Sequence, residues 1–358
     1  MYIYIHLPFC SSICNYCDFP KVLYDKKMIK NYLTCLEQEI KNRYKNELVK
    51  TIYIGGGTPT CLDTLELKQL LELTKILKKE KEIEFTIESN IESITPEKIK
   101  LLIQYGVNRI SLGVQSFQDK VLKELNRHHN KEMIINVIKE LKRNNFKNIS
   151  IDYIYGINED INSVKEDINC FLSLGIPHIS CYSLIIEDNT IFKINGKRNI
   201  KEEIEEEMYR TIETLLEKNG YHHYEISNYA TPGYESIHNI NYWNNGEYLG
   251  LGLGAVSYIN NIRRTNTKNL SKYLKKEYLT NELEEDLNTR ISNDFILGLR
   301  KIDGISKQEF RKKYQKDILE IKEVKKLLKE GLLEETKETI KIPKKYIYAS
   351  NEILIHFL

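Results

Sequence analysis

No apolar run in this 358-residue chain reaches the ~18 consecutive residues that a membrane-crossing helix requires. Net charge is nearly missing as well. The 53 Lys and Arg stand against 51 Asp and Glu, so no global basic field points to nucleic acid, and none is expected as a partner. No secretory leader is expected, because Met1 runs straight into an apolar, aromatic segment that leaves nothing over for a targeting peptide. Without a leader, and at this length, a disulfide scaffold is disfavoured. The expectation is a cytoplasmic protein of a reducing compartment, with transient membrane contact left open. Against these absences stands a hydrophobic fraction of 41%, enough for a proper core. The length exceeds the usual single-domain size, so one large domain with a smaller one is expected.

The informative residues crowd the front of the chain. Of seven cysteines, Cys10, Cys14 and Cys17 fall within eight residues at C-x3-C-x2-C spacing. Thiolates so spaced can hold three irons of a four-iron cluster and leave the fourth iron without a protein ligand. A cluster that only transfers electrons normally has four protein ligands. Zinc and disulfide pairing are the competing readings of such spacing. A structural zinc site wants four ligands, however, and no second Cys/His pair at the usual interval follows Cys17. Cys35, Cys61, Cys170 and Cys181 are scattered and read as buried apolar residues.

The first two-thirds of the chain alternates short apolar segments with amphipathic ones. Tyr2–Ile5, Thr51–Ile54, Ile83–Ile87, Arg109–Val114, Ile149–Ile154 and His178–Leu184 have the content of buried strands. Between them, and after the last, lie helix-periodic stretches at 27–42, 65–79, 96–105, 131–144, 164–174 and 202–218. Thr95-Pro96 reads as an N-cap with proline at the first helical position, and Gly106, Gly175 and Gly220 as left-handed C-caps. This rhythm implies an α/β fold with a parallel sheet and right-handed crossovers. Six units suit an incomplete (β/α)6 barrel, whose functional groups belong at the carboxyl ends of the strands. Polar residues at three strand ends, Glu88, Gln115 and Asp152, stand in apolar company and need partners there. Gly55-Gly56-Gly57-Thr58 after the second strand either makes a tight turn or lets backbone approach a ligand closely. It is not a nucleotide P-loop, because the Gly-Lys-Ser/Thr ending is missing.

Tyr4-Ile5-His6-Leu7-Pro8-Phe9-Cys10 and the three-cysteine loop after it closely resemble the radical S-adenosylmethionine (SAM) superfamily. The resemblance is to the branch holding the oxygen-independent coproporphyrinogen III oxidases and the HemW family of heme chaperones. It implies the same incomplete barrel, with a [4Fe-4S] cluster on Cys10, Cys14 and Cys17 whose open iron is chelated by SAM. It further implies that Tyr4, Gly56, Gly57, Thr58, Glu88, Gln115, Arg127 and Asp152 contact SAM, with Gly56–Thr58 at its amino group and Arg127 near its carboxylate. An arginine fork suits that last task.

The stretch from Tyr224 to Trp243 is polar, aromatic and rich in turn formers, which predicts a functional loop. Its end, His238-Asn239-Ile240-Asn241-Tyr242-Trp243, resembles the H-N-x-x-Y-W motif of the heme-chaperone branch. That likeness implies heme binding by His238, Asn239, Tyr242 and Trp243. A lone loop histidine is more often a simple hydrogen-bonding group. Gly250–Ala255 mimics a G-x-G-x-x-A dinucleotide fingerprint but lacks the βαβ context, so close backbone packing is the reading. The remainder, 261–358, reads as mostly helical, with helices at 295–300, 310–314 and 321–333 and a strand at 339–342 in a winged-helix-like bundle. Three parts follow: a cluster- and SAM-binding core at 1–235, a connecting segment at 236–260 and a C-terminal domain at 261–358.

The oxidase branch carries a fourth cysteine two residues after the third, where this chain has Phe19, and an N-terminal extension where this chain has three residues. Both departures, with the histidine motif, favour a heme chaperone over an enzyme. By resemblance its partners are heme, heme-accepting apoproteins that include membrane-bound ones, and an electron donor such as flavodoxin or ferredoxin. Two alternatives remain: an oxidase making protoporphyrinogen, and a radical SAM enzyme of another substrate in which His238 is only structural.

Overall fold

The computed structural model describes residues 1–358. The apolar segments build one nine-stranded sheet from β1 (Tyr2–Leu7), β2 (Val49–Gly56), β3 (Lys79–Asn90), β4 (Arg109–Gln115), β5 (Asn148–Tyr155), β6 (His178–Ser183), β7 (His222–Glu225), β8 (Asn228–Ala230) and β9 (Leu249–Leu251). Their order is β9-β1-β2-β3-β4-β5-β6-β8-β7. Every pair from β9 across to β6 is parallel, whereas β8 is antiparallel to β6 and to β7. The six expected strands are consecutive neighbours in that order, and the sheet stays open, with β9 and β7 as its edges.

Parallel neighbours need crossovers, and helices supply them: α1 (Lys26–Arg43), α2 (Thr64–Leu73), α3 (Pro96–Gln104), α4 (Lys131–Arg143), α5 (Ile161–Leu174) and α6 (Glu202–Lys218). The expected end signals act as read. The Thr95 hydroxyl accepts from Lys98 N, and Gly106, Gly175 and Gly220 have φ of +81°, +56° and +83°.

Three expectations are corrected. The stretch from Tyr224 to Trp243 is not a loop, because it contains the end of β7, all of β8 and a helix α7 (Ile237–Trp243). Local propensity cannot sustain elements this short, and tertiary bonds hold them. The Glu84 carboxylate on β3 accepts from Ile237 N and His238 N, at 2.9 Å each, while Ser236 Oγ accepts from Asn239 N. Leu249–Leu251 is a seventh parallel strand, which three residues are too few to announce. Its glycines do serve close packing, as read: a Cβ on Gly250 would lie 1.9 Å from the Val256 carbonyl oxygen, and one on Gly252 2.4 Å from that of His6. Finally, the stretch after 255 opens not with helix but with antiparallel strands Val256–Ile259, Ile262–Asn266 and Leu279–Glu284. All six residues of the last strand are exposed, so no apolar period marked it.

Beyond that sheet the expectation holds. Helices Leu287–Gly298, Lys307–Tyr314 and Lys322–Lys329 pack with a small antiparallel sheet of Ile305–Ser306, Thr339–Lys341 and Glu334–Glu335, a winged-helix-like arrangement. One contiguous core runs from Ile3 in β1 to Phe357, which stacks on Phe295. No helix is long and apolar enough to cross a membrane.

Candidate functional site

Side chains alternate across a strand, so the residues facing one way from successive strands form a lining. At the carboxyl ends of β2 to β6 that lining mixes polar and apolar side chains and encloses a cavity of about 450 Å³. Cys10, Cys14 and Cys17 face it from the loop after β1, as do Gly56, Gly57 and Thr58 after β2, and Glu88, Gln115, Asp152 and Arg127. Ten expected residues from six separate segments therefore meet in one space. Tyr4 does not. It lines an adjoining cavity of about 300 Å³ with His6, Tyr242, Tyr248 and Val256, and the two cavities share Phe19, Gly56 and Glu88.

The glycines make the floor. Gly56 has φ +115°, and a Cβ there would strike the His6 ring at 2.6 Å. A Cβ on Gly57 would sit 2.5 Å from the Phe9 carbonyl oxygen and 2.9 Å from Cys10 Sγ. Only a residue without a side chain lets the strand end pass this close beneath the cysteine loop. Thr58 Oγ1 lies 3.9 Å from Cys10 Sγ and accepts from Asn90 Nδ2 at 3.0 Å.

Arg127 ties the far wall together. Its Nη2 donates to the Gly113 carbonyl and, at 2.8 Å, to Asn90 Oδ1, while Nη1 stands 3.4 Å from Cys14 Sγ. Its Nε is buried without a partner. Glu88 accepts from Tyr53 OH at 2.9 Å and from Gly56 N at 3.0 Å. Burial, and then the Asp152 carboxylate, push Glu88 up to about 7. Burial raises Asp152 too, against the opposing pull of Ser111, whose hydroxyl donates to it at 3.1 Å, and of the Arg109 guanidinium. Gln115 reaches the cavity through a left-handed backbone, φ +68°, at an irregularity in the β4–β5 pairing.

These residues fit the cluster that their spacing suggested. None of the three thiols is in a disulfide. The three cysteines line one common space, as three ligands of a single cluster must. Burial raises the thiol of Cys10 to about 11 and that of Cys17 also upward, so as free groups these two are neutral. Iron would supply the charge that keeps them as thiolates.

The motif of α7 divides. His238 is buried, with Nδ1 2.7 Å from Thr51 Oγ1 and Nε2 2.9 Å from Tyr242 OH. The Trp243 ring lies near the Arg300 guanidinium, 5.9 Å from centroid to carbon, on the side of the C-terminal helices. Asn239 is half-buried, and of the four motif residues only Tyr242 faces a cavity described here. Sequence reasoning missed Tyr53, Asn90 and Ser111, which line the larger cavity together with Tyr182. Inward alternation along β2, β3 and β4 was the signal that could have found them.

The model of the radical SAM superfamily matches residues 4–171, and that of the HemN C-terminal domain matches 286–345. The heme chaperone HemW of Lactococcus lactis is 38% identical over 99% of this chain and 96% of its own. That of Bacillus subtilis is 36% identical over 99% and 98%, and that of Escherichia coli 30% over 86% and 84%. Among solved structures, coproporphyrinogen III oxidase (HemN) of Escherichia coli superposes with a TM-score of 0.87, covering 99% of this chain and 89% of its own. At 22% identity, that likeness speaks for the fold.

Proposed function

This chain belongs to the HemW family of the radical SAM superfamily, and from that membership we propose that it is a heme chaperone. It binds heme together with a SAM-liganded [4Fe-4S] cluster and hands heme to heme-requiring apoproteins, membrane-bound ones included. The observation that carries this reading is identity of 36–38% to heme chaperones along nearly the entire chain. Phe19 supports it, standing where the oxidase branch has its fourth cysteine.

When bound, the cluster would offer an iron open to the amino and carboxylate groups of SAM, and one electron from a flavodoxin- or ferredoxin-like donor. The chain's own residues do the rest. Cys10, Cys14 and Cys17 would hold three of its irons, and the Gly56–Gly57 backbone lies against the cysteine loop without side chains in the way. Arg127, pinned by Gly113 and Asn90, presents a fixed positive charge to a carboxylate. Glu88, Gln115 and Asp152 supply acceptors for hydroxyl and amino groups deeper in the cavity. Tyr4 serves the same ligand from the adjoining cavity, through the Glu88 and Gly56 that both spaces share. The heme-facing segment is the H-N-x-x-Y-W helix, with His238, Asn239, Tyr242 and Trp243 as its candidate contacts.

Two anoxic measurements test the reading. Heme titration of the reconstituted chain should give a saturable spectral change, and incubation with coproporphyrinogen, SAM and reductant should give no protoporphyrinogen. Formation of that product would overturn the chaperone in favour of the oxidase. Single Cys→Ser changes at 10, 14 and 17 should each abolish the cluster spectrum.

A further inference from the structure

His238 is the side chain whose sequence setting points most directly to an iron ligand, yet its surroundings assign it other work. The ring is 1% exposed. Its two nitrogens end on hydroxyls of different elements, Thr51 on β2 and Tyr242 one turn along α7. A neutral imidazole has one donor and one acceptor, and both are engaged. Tyr2, Tyr53 and Tyr242 surround it, with ring centroids 6.4, 5.2 and 4.9 Å away. Burial lowers the imidazole to about 3, so it stays uncharged. An axial bond to heme iron needs a free nitrogen lone pair and space for a macrocycle beside it. His238 has both nitrogens occupied and rings on three sides.

Tyr242 is placed differently. Its hydroxyl meets His238, while its side chain lines the smaller cavity beside Tyr4, Tyr248 and Glu88, with the Tyr248 ring edge-on at 4.6 Å. Phe19 belongs to both this cavity and the larger one, so aromatic surface continues from the motif to the cysteine loop. Aromatic walls of this kind suit the apolar edge of a planar macrocycle.

We infer that His238 is a positioning residue: clamped by Thr51, it fixes Tyr242 as the motif's contact with heme in the tyrosine-lined cavity beside the cluster site. The inference rests on the heme binding proposed above and assigns its location and the role of each motif residue. The iron's axial ligand is then not His238.

The test combines heme titration, with optical and electron paramagnetic resonance spectra, and chemical modification. His238→Gln, whose amide still presents a polar group to Tyr242, is expected to keep the wild-type spectrum and an affinity within about threefold. His238→Ala and Tyr242→Phe should each weaken heme binding by about three- to tenfold, the weight of one hydrogen bond, with the iron spectrum unchanged. Loss of a nitrogen-ligand signature in both His238 variants, with Tyr242→Phe fully competent, would overturn the inference. A second arm needs no heme. Ethoxyformylation of the native chain, read by mass spectrometry, should spare His238 while exposed His222 reacts, and Tyr242→Ala, which removes both the hydroxyl and one enclosing ring, should make His238 reactive. His238 reacting as fast as His222 in the wild type would also overturn it. A wild type that binds no heme would remove the proposed function and the ligand half of this inference, while the modification arm still decides whether His238 is clamped.

Discussion

Gly57 shows how much of the cluster site depends on one missing methyl group. An alanine Cβ there would press on the Phe9 carbonyl and on Cys10 Sγ together, and the former is backbone that cannot swing aside. Gly57→Ala is expected to destabilise the chain by about 1–3 kcal/mol. It should also cut the iron retained after anoxic reconstitution to less than half, measured as iron per chain. Gly106→Ala separates the two effects: a Cβ there meets nothing within 4 Å, but φ is +81°, so it should cost stability through backbone strain and leave iron retention unchanged. Glu88 carries a second prediction. Burial and Asp152 raise it to about 7, so its ionised form, the better acceptor for ribose hydroxyls, gains ground as pH rises through neutrality. SAM affinity by anoxic calorimetry should therefore fall about tenfold from pH 8 to pH 6, and Glu88→Gln should flatten that profile. Because Asp152 is raised as well, the profile belongs to the two carboxylates as a pair. Cys10, Cys14, Cys17, Glu88 and Asp152 were legible in the sequence because spacing and strand-end polarity have few other uses. The second cavity was not, since it forms where Tyr4, Tyr242 and Tyr248 meet across more than two hundred residues of chain.

Among the elements, α7 depends most on its neighbours. Seven residues cannot hold a helix by propensity, and the Glu84 carboxylate takes up two of the backbone N–H groups left free at its start. Glu84→Ala would leave the buried His238 N–H without a partner and that of Ile237 to water, which costs about 1–3 kcal/mol. Urea unfolding should report that loss, and hydrogen exchange should report faster exchange at Ile237 and His238 than at the strand amides of β4. The same dependence explains where elements escaped notice. Strands of β-branched residues buried on both faces, such as β4 and β5, announce themselves. Leu249–Leu251 is too short to do so, and the exposed Leu279–Glu284 shows no inward face. Both become strands because a neighbour supplies the hydrogen bonds, β1 in the first case and Ile262–Asn266 in the second.

Across the whole molecule, barrel and C-terminal helices meet around β7. Ile226 N donates to the Arg300 carbonyl, and Ile302 N to that of Tyr224, which stitches residues 300–302 onto the strand end. Glu225, wholly buried at that seam, accepts from Asn228 Nδ2 and is pushed by burial from an ordinary 4.5 up to about 7. A carboxyl raised in the folded state binds its proton there when the unfolded chain has already released it. Stability linked to Glu225 is thus fully present below about pH 4.5 and declines as pH rises to about 7, by an amount on the order of 3 kcal/mol. Thermal unfolding from pH 5 to 8 should show that decline, and Glu225→Gln should reduce the slope. The parallel sheet and the winged-helix-like end were both legible from periodicity. The seam between them was not, because it is made of backbone bonds that any residues could form.

The first strand acquires its two flanks at very different moments of biosynthesis. Residues 49–56 can join one side early, but the other waits until residues 249–251 have left the ribosome. Through that interval the thiol loop hangs from a one-sided ribbon, open to iron delivery and equally to mispairing with a neighbouring nascent chain.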